Sequence, residues 1–143
     1  MQKANHIITS IPEHDVPFNN ESAMKYLSDN GVCAGLQESF CKMDERIAMR
    51  FFICDDSGSM TINDGQKVVQ RKDGSQTMLQ CTRWDELRDS LYFHCGLAAA
   101  ANTPCEFRFL NGPQSVVVGD KDSDPDNMGF RNVIKTLEGT CLY

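Results

Sequence analysis

Asp55, Ser57 and Ser59 stand two residues apart in the run Asp55-Asp56-Ser57-Gly58-Ser59. One carboxylate and two hydroxyls at alternate positions of a tight loop can be aimed at a common point, and all three are hard oxygen donors. Magnesium takes near-octahedral oxygen ligands and binds few protein carboxylates. The donor set therefore points to Mg2+, with Mn2+ as the other ion of similar preference. Hydroxyls are neutral ligands, so an ion held by them keeps much of its positive charge and can accept an acidic group from another molecule. Gly58 lets the backbone turn without a Cβ clash. The plain alternative is a polar loop between a strand and a helix.

The elements around the loop must position it. Residues 46–54 contain the nearly continuous apolar run Phe51-Phe52-Ile53-Cys54, which predicts a central strand buried on both faces of a parallel sheet. In open α/β sheets the ligand crevice lies just beyond the C-terminal strand ends, which is where the loop falls. Within residues 61–80, the turn signals Asn63-Asp64-Gly65 and Asp73-Gly74 flank Val68-Val69 and predict half of a small hairpin. Thr82 and Asp85 then open a helix with a near capping box. Trp84, Leu87, Leu91, Cys95 and Ala98 recur along it at helical spacing, and Asn102-Thr103-Pro104 stops it. Residues 105–112 and 115–119 predict two short strands joined at Asn111-Gly112-Pro113. Asp124-Pro125 opens a last helix with Met128, Val133, Ile134 and Leu137 facing inward, ending at Gly139. The order strand, helix, strand, strand, helix is an α/β pattern.

Ahead of this unit, residues 1–20 carry Pro12, Pro17 and Asn19-Asn20 and read as an irregular lead-in. Residues 21–45 read as a short helical segment. Ala23, Met24 and Leu27 form one face up to the stop at Asn30-Gly31, and a second helix over 33–43 carries Leu36 and Phe40.

Bulk properties narrow the function classes. The chain has 143 residues and a formal net charge of -6, enough length for one core and no basic face for nucleic acid. The longest basic cluster is Arg71-Lys72, which does not make a polybasic membrane patch. No apolar run reaches the length of a bilayer span, and the first residues do not read as a signal peptide, so a cytoplasmic protein is expected. Seven cysteines at wide spacings, with no CxxC, read mostly as small buried side chains rather than a disulfide or zinc framework. Asp120, Asp122 and Asp124 imitate the start of a calcium loop, but Pro125 and Arg131 stand where Gly and Glu are required. His94-Cys95 lies inside the predicted helix and reads as a core position. Glu13, Asp44, Glu45, Asp85 and Glu86 read as exposed carboxylates, and Trp84 as an anchor on the sheet.

The run D-x-S-G-S after a hydrophobic strand resembles the metal-ion-dependent adhesion site of von Willebrand factor type A (vWA) domains. That family places a threonine in a later loop, usually after Gly, and Gly139-Thr140 stands at the matching place. The stretches Thr82-Arg83-Trp84-Asp85-Glu86-Leu87 and Phe107-Arg108-Phe109-Leu110-Asn111-Gly112 look like the intracellular vWA proteins of microbial eukaryotes and plants. The resemblance covers residues 46–143. It implies a three-layer, Rossmann-like fold with a mostly parallel sheet, and metal ligands at Asp55, Ser57, Ser59 and Thr140. It also implies that only the N-terminal half of such a domain is present, because three of six expected strands are found and the family's last metal-site Asp is not. Strand 46–54 would then lack a neighbour on one side, an association hazard.

The expected function is a non-enzymatic module whose Mg2+ recruits an Asp or Glu of a partner protein. Asp56 and Met60 are expected to shape its rim. A second reading is a regulatory or assembly subunit of an ATPase-type machine, the ATPase being a separate chain because no P-loop occurs here. A third is a hydrolase-like enzyme acting through Cys or Asp, for which no arrangement of nucleophile, base and orienting group is visible.

Overall fold

Asn19 opens the first helix of the computed structural model, its side chain accepting a hydrogen bond from Ser22 N at 3.1 Å, as a short polar N-cap does. The structure describes residues 17–44, 46–111, 115–120 and 128–139. Helix α1 spans Asn20–Asp29 and α2 spans Ala34–Asp44. Gly31 turns the chain between them at φ +76°, a left-handed conformation that suits glycine. There follow β1 (Arg50–Cys54), a 3-10 turn (Gly58–Thr61), β2 (Gly65–Gln70), β3 (Gln76–Cys81), α3 (Arg83–Ala101), β4 (Cys105–Phe109), β5 (Val116–Val118) and α4 (Met128–Gly139). The expected α/β class is what these elements form.

Two sheets arise. In one, β1 pairs in parallel with β4, setting Phe52 against Phe107 and Cys54 against Phe109. On the other side of β4, β5 runs antiparallel, with Cys105 opposite Val118 and Phe107 opposite Val116. The expectation of a mostly parallel sheet is thereby corrected to one parallel and one antiparallel pairing. The reason is loop length. The link from β4 to β5 is too short for the crossover that a parallel return needs, whereas α3 supplies that crossover between β1 and β4. The second sheet is the antiparallel hairpin of β2 and β3. Gly74, at φ +83°, and an Asp73 side chain accepting from Ser75 N at 2.9 Å close its turn, as the Asp-Gly signal predicts.

Period-two alternation sends Phe52, Cys54, Cys105, Phe107, Phe109 and Val118 to one face of the three-stranded sheet, where they join the main core. Helix α3 meets them with Trp84, Leu91, Cys95 and Ala98, and α4 with Val133 and Leu137. Phe52 stacks on Phe107 at 4.9 Å between ring centres, and Trp84 tilts over Phe109 at 6.3 Å. The capping box at the start of α3 is complete: Thr82 accepts from Asp85 N and Asp85 accepts from Thr82 N. On its outer side α3 presents Leu97 and Ala101 to Ala23, Leu27 and Cys41 of the N-terminal helices. The approach of α1 is close at Gly96, where any Cβ would enter the Tyr26 ring. Tyr26 itself donates to the Phe93 carbonyl at 3.1 Å.

Four expectations need correction. Strand β1 starts at Arg50 rather than residue 46. It is not buried on both faces: Phe51 is 59% exposed and Ile53 is 74% exposed. Among the described residues the helices stack on a single face of the sheet, α3 with α4 and then α1 with α2 outside α3, so they do not form the expected three layers. Met128 is also exposed rather than inward, whereas Val133 and Leu137 are buried as expected. The Asn111-Gly112-Pro113 turn and the Asp124-Pro125 helix start fall partly or wholly outside the described residues.

Candidate metal centre

Strand β1 stops at Cys54, whose carbonyl accepts from Leu110 N at 3.1 Å. The two parallel strands are therefore tied together at their C-terminal ends, and the Asp-Ser loop leaves from that edge. The loop is organised by its own short side chains. Ser57 N donates to Asp55 Oδ1 at 2.9 Å, a local turn typical of Asp. Met60 N donates to the Ser57 carbonyl at 3.0 Å and Ile62 N to the Ser59 carbonyl at 3.2 Å, which winds the 3-10 turn. Thr61 Oγ1 closes it on the Gly58 carbonyl at 2.7 Å.

This winding brings Ser57 Oγ and Ser59 Oγ to 3.0 Å of each other. The Asp55 carboxyl lies beside them and is held below the usual carboxylate range by hydrogen bonds from the Ser57 side chain and then the Ser57 backbone. The donor set fits an ion. Adjacent ligands of an octahedral Mg2+, with bonds of about 2.1 Å, lie about 3.0 Å apart, which is also the length of the hydrogen bond that joins the two hydroxyls. Asp55, Ser57 and Ser59 would thus supply one anionic and two neutral oxygens, with Mn2+ accommodated by the same donors. Thr140, the fourth expected ligand, lies outside the described residues. Among the described residues no group of three or more His, Cys, Asp or Glu side chains is arranged to hold a metal. A hydroxyl-based site is of a different donor type.

Asp56 departs from its expected place at the rim. It is fully buried. Its Oδ1 accepts from Asn111 N at 2.8 Å and from Asn111 Nδ2 at 3.2 Å, so it ties the Asp-Ser loop to the segment just after β4. Its Oδ2 is buried with no hydrogen-bond partner among the described residues. Such an unpaired acceptor costs about 1–3 kcal/mol. The neighbouring Cys54 thiol is pushed up to about 11 by burial and by the Asp56 charge. Met60 is half-buried and packs on the main core instead of the rim. The only sequence sign of the Asp56 contact was the Asn-Gly pair after β4, which reads locally as turn chemistry alone.

The other groups weighed for chemistry lie apart from this loop. His94 sits between Phe52 and Phe93, with ring centres 5.0 and 5.4 Å away. Burial, then the Arg50 charge, lowers its pKa. Burial pushes the Cys95 thiol up to about 12 and the Cys105 thiol up to about 11. Thiols so raised carry almost no thiolate at neutral pH, which argues against catalysis through them. Five of the six described cysteines are buried, as expected, and Cys33 is exposed. Asp85 is not a free surface carboxylate: it is half-buried in the α3 cap and pairs with Arg88 at 2.9 Å. No protein-family model, curated protein or solved structure matches the chain.

Proposed function

We propose that this chain is a vWA-like binding module. It holds Mg2+ through Asp55, Ser57 and Ser59, with Thr140 assisting, and recruits an acidic side chain of a partner protein. The observation that carries this reading is the 3.0 Å hydroxyl pair beside Asp55, at the C-terminal end of a parallel strand. With a single carboxylate among these three ligands, the ion retains net positive charge. A partner carboxylate entering its coordination shell is then both a hard-oxygen ligand and a counter-charge. The module would work inside the cell, and no described helix is long and apolar enough to cross a membrane.

The test is a calorimetric titration of the chain with a short Asp-containing peptide, in Mg2+ and in EDTA, beside the same peptide with Asn. Binding of the Asp peptide in Mg2+ alone is the expected result. Equal binding of both peptides, or binding that survives EDTA, would overturn the reading.

The edge of β1 supports a second property, self-association. Arg50 N and the Cys54 carbonyl bond to the β4 segment, and the alternation of a parallel ladder turns the backbone groups of Phe51 and Ile53 the other way. The exposed side chains of those same residues lie on the face that no described element covers. An antiparallel second copy, with Phe51 opposite Ile53, would satisfy the edge and extend the sheet. Sedimentation is expected to show concentration-dependent dimers that Ile53→Lys disperses. A wild type that stays monomeric across the concentration range would remove this property.

A further inference from the structure

Asp56 is the described carboxylate most completely removed from water, and its hydrogen-bond partner is the neutral Asn111. Among the described residues no cation pairs with it, and its second oxygen has no hydrogen-bond donor. A fold under no other demand would place an amide or an apolar group there. Asp56 is also flanked in sequence by Asp55 and Ser57, with neighbouring Cα atoms about 3.8 Å apart. An ion held by Asp55, Ser57 and Ser59 lies within a short, poorly screened distance of this carboxylate, since salt screens buried charges weakly.

We propose that Asp56 is the electrostatic counter-charge of the metal site: it stays outside the ligand set and raises the ion's affinity through space, while its uncompensated burial weakens the ion-free fold. The inference rests on the reading of Asp55, Ser57 and Ser59 as ion ligands. Asn111 has the complementary task of positioning, because its backbone and side-chain N–H groups hold the carboxylate under the loop. The arrangement trades stability of the ion-free protein for ion binding, a common relation at functional sites. It separates the two negative charges of the loop by role. Asp55, half-buried, is the ligand, and Asp56, fully buried, sets the potential.

The trade gives the test two readouts of opposite sign. Asp56→Asn keeps the size of the side chain and an oxygen for Asn111 but removes the charge. Mg2+ affinity, by calorimetry on the full chain, is expected to fall about tenfold or more, as befits loss of one charge near a divalent ion. The melting temperature without ion is expected to stay or rise. Equal Mg2+ affinity in wild type and Asp56→Asn overturns the proposal. So does weaker binding accompanied by a lower ion-free melting temperature, which assigns Asp56 to holding the loop in shape. Asp55→Ala separates this inference from the reading beneath it. If wild type and Asp55→Ala respond alike to Mg2+, or neither binds, both fail. If Asp55→Ala loses the ion and Asp56→Asn does not, only the role of Asp56 fails.

Discussion

Asp55→Ala is expected to weaken Mg2+ binding by about a hundredfold or more, since loss of even an outer partner of a metal ligand costs roughly ten- to a hundredfold. Asp55 supplies a carboxylate beside the hydroxyl pair, and Ser57 and Ser59 alone offer two neutral oxygens 3.0 Å apart. Two neutral ligands do not compete with water for a strongly hydrated cation. The substitution also removes the acceptor for Ser57 N, so the loop loses one of the bonds that aim the hydroxyls. Asp55→Asn separates the two effects, because it keeps an acceptor and removes the charge. It should bind almost as poorly as Asp55→Ala. Acidity gives a further check with a definite sign. Hydrogen bonds from Ser57 hold the Asp55 carboxyl below its ordinary range. Ion binding should therefore persist as pH falls through that ordinary range and fade only below it. Calorimetric titration with Mg2+ at several pH values measures all of this. An Asp55→Ala protein that binds like wild type would remove the metal reading.

The largest expected effect on stability is at Phe107. It is fully buried at the centre of the three-stranded sheet, stacked on Phe52 and opposite Val116. Phe107→Ala removes apolar surface on a strand hydrogen-bonded on both sides, where the backbone cannot close the cavity. A loss of about 3–5 kcal/mol is expected, a large share of the roughly 5–15 kcal/mol that holds an ordinary domain together. Urea unfolding should show a lower midpoint with an unchanged slope. Phe51→Ala is the control, one strand away and 59% exposed, and should change stability by no more than about 0.5 kcal/mol. Equal effects at the two positions would mean that Phe51 is covered as well as Phe107, contrary to the exposed face assigned to it.

That pair of residues also shows where sequence pattern stops being informative. Phe51, Phe52, Ile53 and Cys54 are all apolar, so nothing in their order separates a strand covered on both faces from one covered on a single face. The strand and its direction toward the Asp-Ser loop were legible; its two faces were not. Helix α3 was legible nearly to the residue, because Thr82, Asp85 and the spacing of Trp84, Leu91, Cys95 and Ala98 are local signals. The turn of the β2–β3 hairpin and its first strand were legible from Asp73-Gly74 and Val68-Val69 for the same reason, whereas β3 was not expected. Asp56 was not, because its partner Asn111 is 55 residues away and each residue looks like ordinary loop chemistry in its own surroundings.

The Asp-Ser loop divides along the same line. By itself the sequence determined the donor types, their alternate spacing, the strand ahead of them and the caps and turns around them. All of these depend on contacts between residues a few positions apart. Only the three-dimensional structure showed that the local 3-10 winding brings Ser57 and Ser59 together, and that among the described residues β1 keeps one face and one edge uncovered. It alone placed the second aspartate beneath the loop, fully buried on Asn111. Burial and unpaired charge are properties of what comes to surround a side chain, and that is settled by packing between distant segments.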